Sequence, residues 1–184
     1  RTLSGKPLIA WSIEHALNSA KVDSVWVSSD SDEILNISEK FGAHAIHRPS
    51  DISHDTASSE SAWVHAVDYI EQKEKVSIEV VVAIQPTSPV RGVDDIDNAL
   101  NKFAREQLDS LMTVTAVEDY FQWRMGESGP EALNYDFRNR KRRQEIETTY
   151  LENGSFYIFT TRLLREMNNR LGGKIGFYEQ EKHK

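Results

Sequence analysis

The chain has 184 residues, no cysteine, 39% hydrophobic and 28% charged residues, and a formal net charge of −7. That length suits about one domain with a real core, and the acidic balance argues against general nucleic-acid or membrane-surface binding. The lack of cysteine excludes disulfides, a thiol nucleophile and a zinc–thiolate site, and fits a reducing compartment. No apolar run approaches the roughly 20 residues needed to cross a bilayer, and no signal peptide is visible. The chain opens at Arg1 without a methionine and ends at Lys184 just after an apparent strand, so both ends read as cut.

In chain order, "PLIAWSIEHALNSA" places Pro7 near a helix start and aligns Ile9, Ile13, Ala16, Leu17 and Ala20 on one apolar face. "SVWVSSD" is a short β-rich run, and "SDEILNISEKFG" a helix with acids in its first turn and Gly42 as its stop. "AHAIHR" reads as a strand and "SSESAWVHAVDYIEQ" as a helix. The nearly continuous apolar run "IEVVVAI" suits a strand covered on both faces. "DDIDNALNKFARE" and "DSLMTVTAVE" follow as helix and strand. This rhythm predicts an α/β fold with a mostly parallel sheet and helices on both faces. Right-handed crossovers then put the strand C-termini along one edge, outside which ligands of such sheets bind. Residues 119–148 break the pattern, with few β-runs and no helical stripe. That is too long for an ordinary connection. The segment is either a disordered insertion or an arm ordered by another surface, and Phe121, Trp123, Tyr135 and Phe137 favour the arm. Beyond it, "TYLENGSFYIF" reads as a pair of β segments about Asn153-Gly154, "TTRLLREMNNR" as a helix and "KIGFYEQ" as a last strand.

Several places carry candidate chemistry. In "IQPTSPVR", Gln85 and Ser88 both precede prolines, which stiffens the loop. It is either a capped turn or a rigid wall presenting Gln85, Thr87 and Ser88 to a polyhydroxylated ligand. "RPSDISHDTASSES" leads into a helix start, where Asp55, Ser58 or Ser59 could cap and the spare hydroxyls could meet a polar or anionic ligand. Arg48, just past a strand end, is either solvated or a carboxylate or phosphate holder. Five of the six residues from Arg138 to Arg143 are basic. That run is a solvated or nuclear-localisation stretch, a nucleic-acid contact, or an anion-binding patch delivered by the arm. Asn153-Gly154 signals a hairpin or bulge and reads as structural. No G-x-S-x-G elbow, Walker A motif or metal spacing among the histidines occurs.

The pieces "LSGKPLIAWSI", "SVWVSSDSDEI", "FGAHAIHRPSDISHDTASS", "IQPTSPVR", "RKRRQ", "YLENGSFYIF" and "GGKIGFYE", in this order, resemble the acylneuraminate cytidylyltransferases, or CMP-sialic acid synthetases. The resemblance runs essentially end to end. It implies a Rossmann-like fold of nucleotidyltransferase type, with residues 119–148 as a dimerisation arm inserted in a single domain over 1–184. It implies transfer of CMP from CTP to a nine-carbon 2-keto sugar acid, giving a CMP-sugar and pyrophosphate, in a homodimer or dimer of dimers. Arg48 and Ser59, with Ser58 nearby, would lie in the cytidine pocket, and Gln85 would touch the sugar or the nucleotide. Arg140 matches a catalytic arginine, with Arg142, Arg143 and Gln144 beside it. Ala57 stands where the family's animal members carry a serine. The resemblance also implies a Gly-rich phosphate loop before Arg1 and an Asp-rich, Mg²⁺-binding segment after Lys184, so that the chain alone is expected to be inactive. No nucleic-acid or membrane partner is expected, and the location implied is cytoplasmic, or nuclear in a vertebrate-like source. The alternative is a non-catalytic nucleotide-sugar-binding remnant of the same fold.

Overall fold

A computed structural model describes residues 1–117 and 121–181, apart from the side chain of Arg143. The elements are β1 (Thr2–Leu3), β2 (Lys6–Pro7), α1 (Leu8–Leu17), β3 (Trp26–Ser29), α2 (Asp32–Lys40), β4 (His44–His47), α3 (Ser59–Glu74), β5 (Val80–Ile84), α4 (Asp95–Arg105), β6 (Ser110–Val117), β7 (Trp123–Gly126), β8 (Gly129–Ala132), β9 (Thr149–Thr160), α5 (Thr161–Met167) and β10 (Ile175–Glu179). Single 3-10 turns lie at Ser50–Ile52 and Arg143–Glu145.

Local sequence accounts for the helix ends. Pro7 precedes α1 at φ −53°, the geometry its ring imposes. Ser31 accepts the Ile34 amide to cap α2, whose first turn carries Asp32 and Glu33. Gly42 follows at φ +92°, where a side chain would be strained, so the chain leaves the helix there.

The main sheet runs β10-β6-β9-β5. β10 pairs parallel with β6, and β9 lies antiparallel between β6 and β5. β5, β6 and β10 therefore share one direction, as the rhythm of helices and strands predicted, with β9 reversed among them. β9 corrects the reading of two β segments about Asn153-Gly154. It is one long strand whose register against β6 slips from Val114↔Glu152 to Met112↔Tyr157. Gly154 sits in that bulge at φ +66°. The N-terminal strands form their own parallel pair, from Trp26↔His44 to Ser29↔His47.

Side-chain alternation along β9 builds both core faces. Phe156 and Ile158 point to the layer of α4, against Ile96, Ala99 and Phe103. Tyr157 and Phe159 point to the opposite layer, against Val67 of α3 and Leu163 and Leu164 of α5. Phe156 and Phe159 are fully buried, each contributing about 1.5–3 kcal/mol by transfer from water.

Residues 121–137 hold more regular structure than their composition announces. β7 and β8 form an antiparallel hairpin from Trp123↔Ala132 to Gly126↔Gly129. Beside it the rings of Phe121 and Tyr135, Trp123 and Tyr135, and Trp123 and Phe137 lie 4.7, 5.9 and 5.6 Å apart. Among the described residues no helix is long and apolar enough to cross a membrane.

No strand ladder joins β3 to β5 among the described residues. Between them runs an apolar channel of about 1030 Å³, lined by both strands and by α1 and α3.

Candidate functional site

β4 ends at His47, and the chain turns at Arg48 toward α3. β5 ends at Ile84, and the chain turns at Gln85. These two exits and the first turn of α3 enclose a cavity of about 280 Å³, lined by Arg48, Ser59, Ala62, Trp63, Ile84, Gln85, Pro86 and Thr87. It shares Arg48, Ala62, Trp63, Ile84 and Pro86 with the larger channel. Four residues nominated from sequence thus converge on one space: Arg48, Ser59, Gln85 and Thr87. They lie at or just past the C-terminal ends of β4 and β5 and at the start of α3, and strand C-termini are where ligands of α/β sheets collect.

Arg48 is held rather than solvated. Its Nε donates to Ser53 Oγ at 3.1 Å, Ser53 Oγ donates in turn to the Pro49 carbonyl at 2.7 Å, and Asp30 lies 3.9 Å away. The guanidinium is aimed while its remaining N–H groups stay available for an anion or a base edge. Ser58 takes the capping role: its hydroxyl accepts the Ser61 amide at 3.1 Å. That leaves the neighbouring Ser59 to the cavity. Ser88 closes a turn by donating its amide to the Gln85 carbonyl at 3.2 Å, and it is not among the residues lining the cavity.

Behind Gln85 lies a polar scaffold that sequence reasoning did not assign. Arg91 is only 6% exposed. Its Nη2 donates to the carbonyls of Gln85 (2.7 Å) and Ser155 (2.8 Å), and its Nη1 to Ser12 Oγ (3.2 Å). Burial pulls its pKa down to about 10. The Gln85 amide also donates to the Ser155 carbonyl, at 3.0 Å. Asp95 accepts from the Gly92 amide (2.6 Å) and from Gln180 Nε2 (2.8 Å), and Asn153 Nδ2 donates to Gln180 Oε1 (2.9 Å). Gly154 backs the Gln85 side chain: a Cβ there would stand 3.1 Å from Gln85 Oε1. The clue in the sequence was a basic residue two positions past a proline in the loop after β5. A single arginine in a loop reads first as solvated, so the clue was weak. Trp63 was missed because its helical spacing reads as core.

The basic run lies elsewhere. Arg140, Lys141, Arg142 and Gln144 are exposed, and none lines either cavity. Arg140 stacks over the Phe121 ring, 3.9 Å from its centroid. Arg142 and Glu145 close a small turn, with the Glu145 amide donating to the Arg142 carbonyl at 2.9 Å. Arg143 lies in that turn; its side chain is outside the described residues. Among the described residues no group of three or more His, Cys, Asp or Glu could hold a metal ion.

Comparison with known proteins follows the same lines. A family model described as Cytidylyltransferase matches residues 1–184. The N-acylneuraminate cytidylyltransferase of Oncorhynchus mykiss is 32% identical over 97% of this chain and 40% of its own length. N-acylneuraminate cytidylyltransferase B of Danio rerio is 34% identical over 97% of this chain and 41% of its own. The chain thus spans about two fifths of the length of these fish relatives. A pseudaminic acid cytidylyltransferase of Campylobacter jejuni is 31% identical over 86% of this chain and 69% of its own. Among solved structures, a CMP:2-keto-3-deoxy-manno-octonic acid synthetase complexed with CTP superposes with a TM-score of 0.69 at 17% identity, covering 98% of this chain and 82% of that one. A 4-diphosphocytidyl-2C-methyl-D-erythritol synthase superposes at 0.70 with 9% identity, covering 98% and 84%. At such identities these two speak to the fold alone.

Proposed function

The chain belongs to the cytidylyltransferase family, and we propose on that footing that it is the sugar-acid and nucleotide-binding body of an enzyme transferring CMP from CTP to an N-acylneuraminate-type sugar acid. The products are the CMP-sugar and pyrophosphate. The observation that carries this reading is the meeting of Arg48, Ser59, Gln85 and Thr87 on one cavity at the strand C-termini. The fish and Campylobacter relatives are described as N-acylneuraminate and pseudaminic acid cytidylyltransferases, which supports a substrate of that class.

In the proposed reaction the anomeric hydroxyl of the sugar acid attacks the α-phosphorus in line with departing pyrophosphate. One O–P bond forms, one breaks, and the hydroxyl proton passes to solvent. Catalysis is then mainly positioning and neutralisation of phosphate charge. Arg48 and Ser59 hold the cytidine end, and Gln85 and Thr87 orient the sugar or the ribose from the opposite wall. Arg140, Arg142 and Gln144 do not line this cavity within their own chain, so the proposal places the basic run, Arg143 included, at the site of a second protomer, carried there by the arm. Each arginine could take an oxygen pair of a carboxylate or phosphate. Mg²⁺ stays in the proposal as the counter-ion a triphosphate brings with it, with no ligand assigned in this chain and no step assigned to it.

The test is CTP-dependent pyrophosphate release by the natural full-length protein, run in parallel with N-acetylneuraminic and pseudaminic acids. Release with the first and not the second supports the acylneuraminate assignment, and the reverse pattern moves the substrate to the other acid. No release with any nine-carbon sugar acid, together with calorimetric binding of a CMP-sugar, would leave only the non-catalytic binding reading.

A further inference from the structure

Arg91 is costly to keep where it is. A buried guanidinium loses most of its hydration. Among the described residues its hydrogen bonds go to two main-chain carbonyls and a serine hydroxyl, and Asp95 offsets the burial only through space. Its Nε is buried with no hydrogen-bond partner. An apolar side chain of the same volume would remove that cost, so the charge is unexplained by packing alone.

What the guanidinium touches supplies the explanation. One nitrogen bridges the Gln85 and Ser155 carbonyls at 2.7 and 2.8 Å. This joins the residue where β5 becomes loop to the residue just beyond the β9 bulge. The bulge is fixed from its other side, because Asn153 Oδ1 accepts the Ser155 amide at 3.1 Å and Asn153 Nδ2 reaches Gln180. Gly154, between them, leaves the space into which the Gln85 carboxamide fits. The backbone of Gln85 is gripped by Arg91, and its side chain is backed by a residue that has none.

We infer that Arg91 is a positioning residue that acts through Gln85, with Gly154 as the opposing wall. Together they hold the Gln85 carboxamide in one orientation at the cavity. Arg91 does not touch the ligand. The inference rests on the proposed reading that Gln85 meets sugar or nucleotide, and it names what aims that contact. An amide aimed beforehand does not spend binding energy on being ordered. Lysine is a poor substitute, since its one nitrogen on a flexible stem can meet the two carbonyls but not also the Ser12 hydroxyl that the second guanidinium nitrogen takes.

A double-mutant cycle on the full-length protein tests this, with KM for CTP and for N-acetylneuraminic acid, kcat and thermal midpoint read for each variant. Arg91→Lys is expected to raise one of the two KM values about tenfold when Gln85 is present and less than about twofold in a Gln85→Ala background. The thermal midpoint should drop equally in both backgrounds. If the two substitutions instead multiply, Arg91 acts on stability or elsewhere and the inference is overturned. If Gln85→Ala alone leaves both KM values and kcat unchanged, the ligand-contact reading of Gln85 has failed, and the inference falls with it for that separate reason. Should Arg91→Lys not fold, Gly154→Asn enters the same cycle. Asparagine tolerates positive φ, yet its Cβ would press on Gln85 Oε1, so the same loss of effect in the Gln85→Ala background is expected. Simple multiplication there would overturn the inference equally.

Discussion

Ser58 and Ser59 are neighbours with divided duties: the Ser58 hydroxyl caps α3 through the Ser61 amide at 3.1 Å, while Ser59 lines the cavity. The division predicts separable phenotypes. Ser58→Ala should cost about 1 kcal/mol of stability and lower the melting temperature by roughly 2–4 °C, with CMP affinity unchanged. Ser59→Ala should leave the melting temperature in place and weaken CMP binding about fivefold, the worth of one ordinary hydrogen bond. Calorimetric titration and thermal melts on both variants check the pair. Equal effects of the two substitutions on both readouts would refute the division.

His15 makes acid stability a local property of α1. Burial, and next the Arg91 guanidinium, hold its pKa below the ordinary 6.5; Lys6 adds to them, while Asp95 and Glu14 pull the other way. The folded protein therefore resists protonating His15, whereas the unfolded chain accepts the proton near pH 6.5. Below that pH the unfolded state binds more protons, so stability falls as pH falls toward the lowered folded value. His15→Gln should flatten the pH dependence of the urea midpoint in that window. An unchanged slope would show that other groups govern it.

The hairpin β7–β8 and the residues that follow it present apolar side chains to solvent: Met125 is 79% exposed, and Leu133 and Phe137 52% each. If the segment is the proposed dimerisation arm, these side chains are covered in the assembly. Met125→Asp should then shift the protein from dimer to monomer in sedimentation at micromolar concentration. A wild-type protein already monomeric there would remove the arm from this role.

Placement of Arg140 in another protomer's site has its own signature. Arg48→Met and Arg140→Met should each be nearly inactive alone. When the two are unfolded and refolded together, each mixed dimer would hold one site with both arginines intact. About a quarter of wild-type activity should return, given statistical pairing in a twofold dimer. Failure of the mixture to recover would place Arg140 in its own chain's site or outside the chemistry.

The helices and the order of strands were legible because their signals are local. Pro7, Ser31, Gly42 and the apolar run at Val80–Ile84 each act within a turn or two of themselves. The cavity was legible for the same reason, since Arg48, Ser59 and Gln85 sit just past strand ends or at a helix start. β9 was not legible as one strand. Asn153-Gly154 is a strong reversal signal by itself, and only pairing on both sides, with β6 and β5, turns the reversal into a bulge. Arg91 escaped because burial of a loop arginine depends on carbonyls 6 and 64 residues away. The hairpin at Trp123–Ala132 escaped because its four-residue strands carry charges and a proline where β-formers were sought.

The placement of β9 has a consequence in time as well as in space. It pairs with both β6 and β5 and sends side chains into both core layers, so neither layer can open while this strand stays in place. Amide deuterium exchange at Phe156–Phe159 should therefore follow the free energy of global unfolding, whereas Trp123–Gly126 of the exposed hairpin should exchange through a local opening of lower free energy.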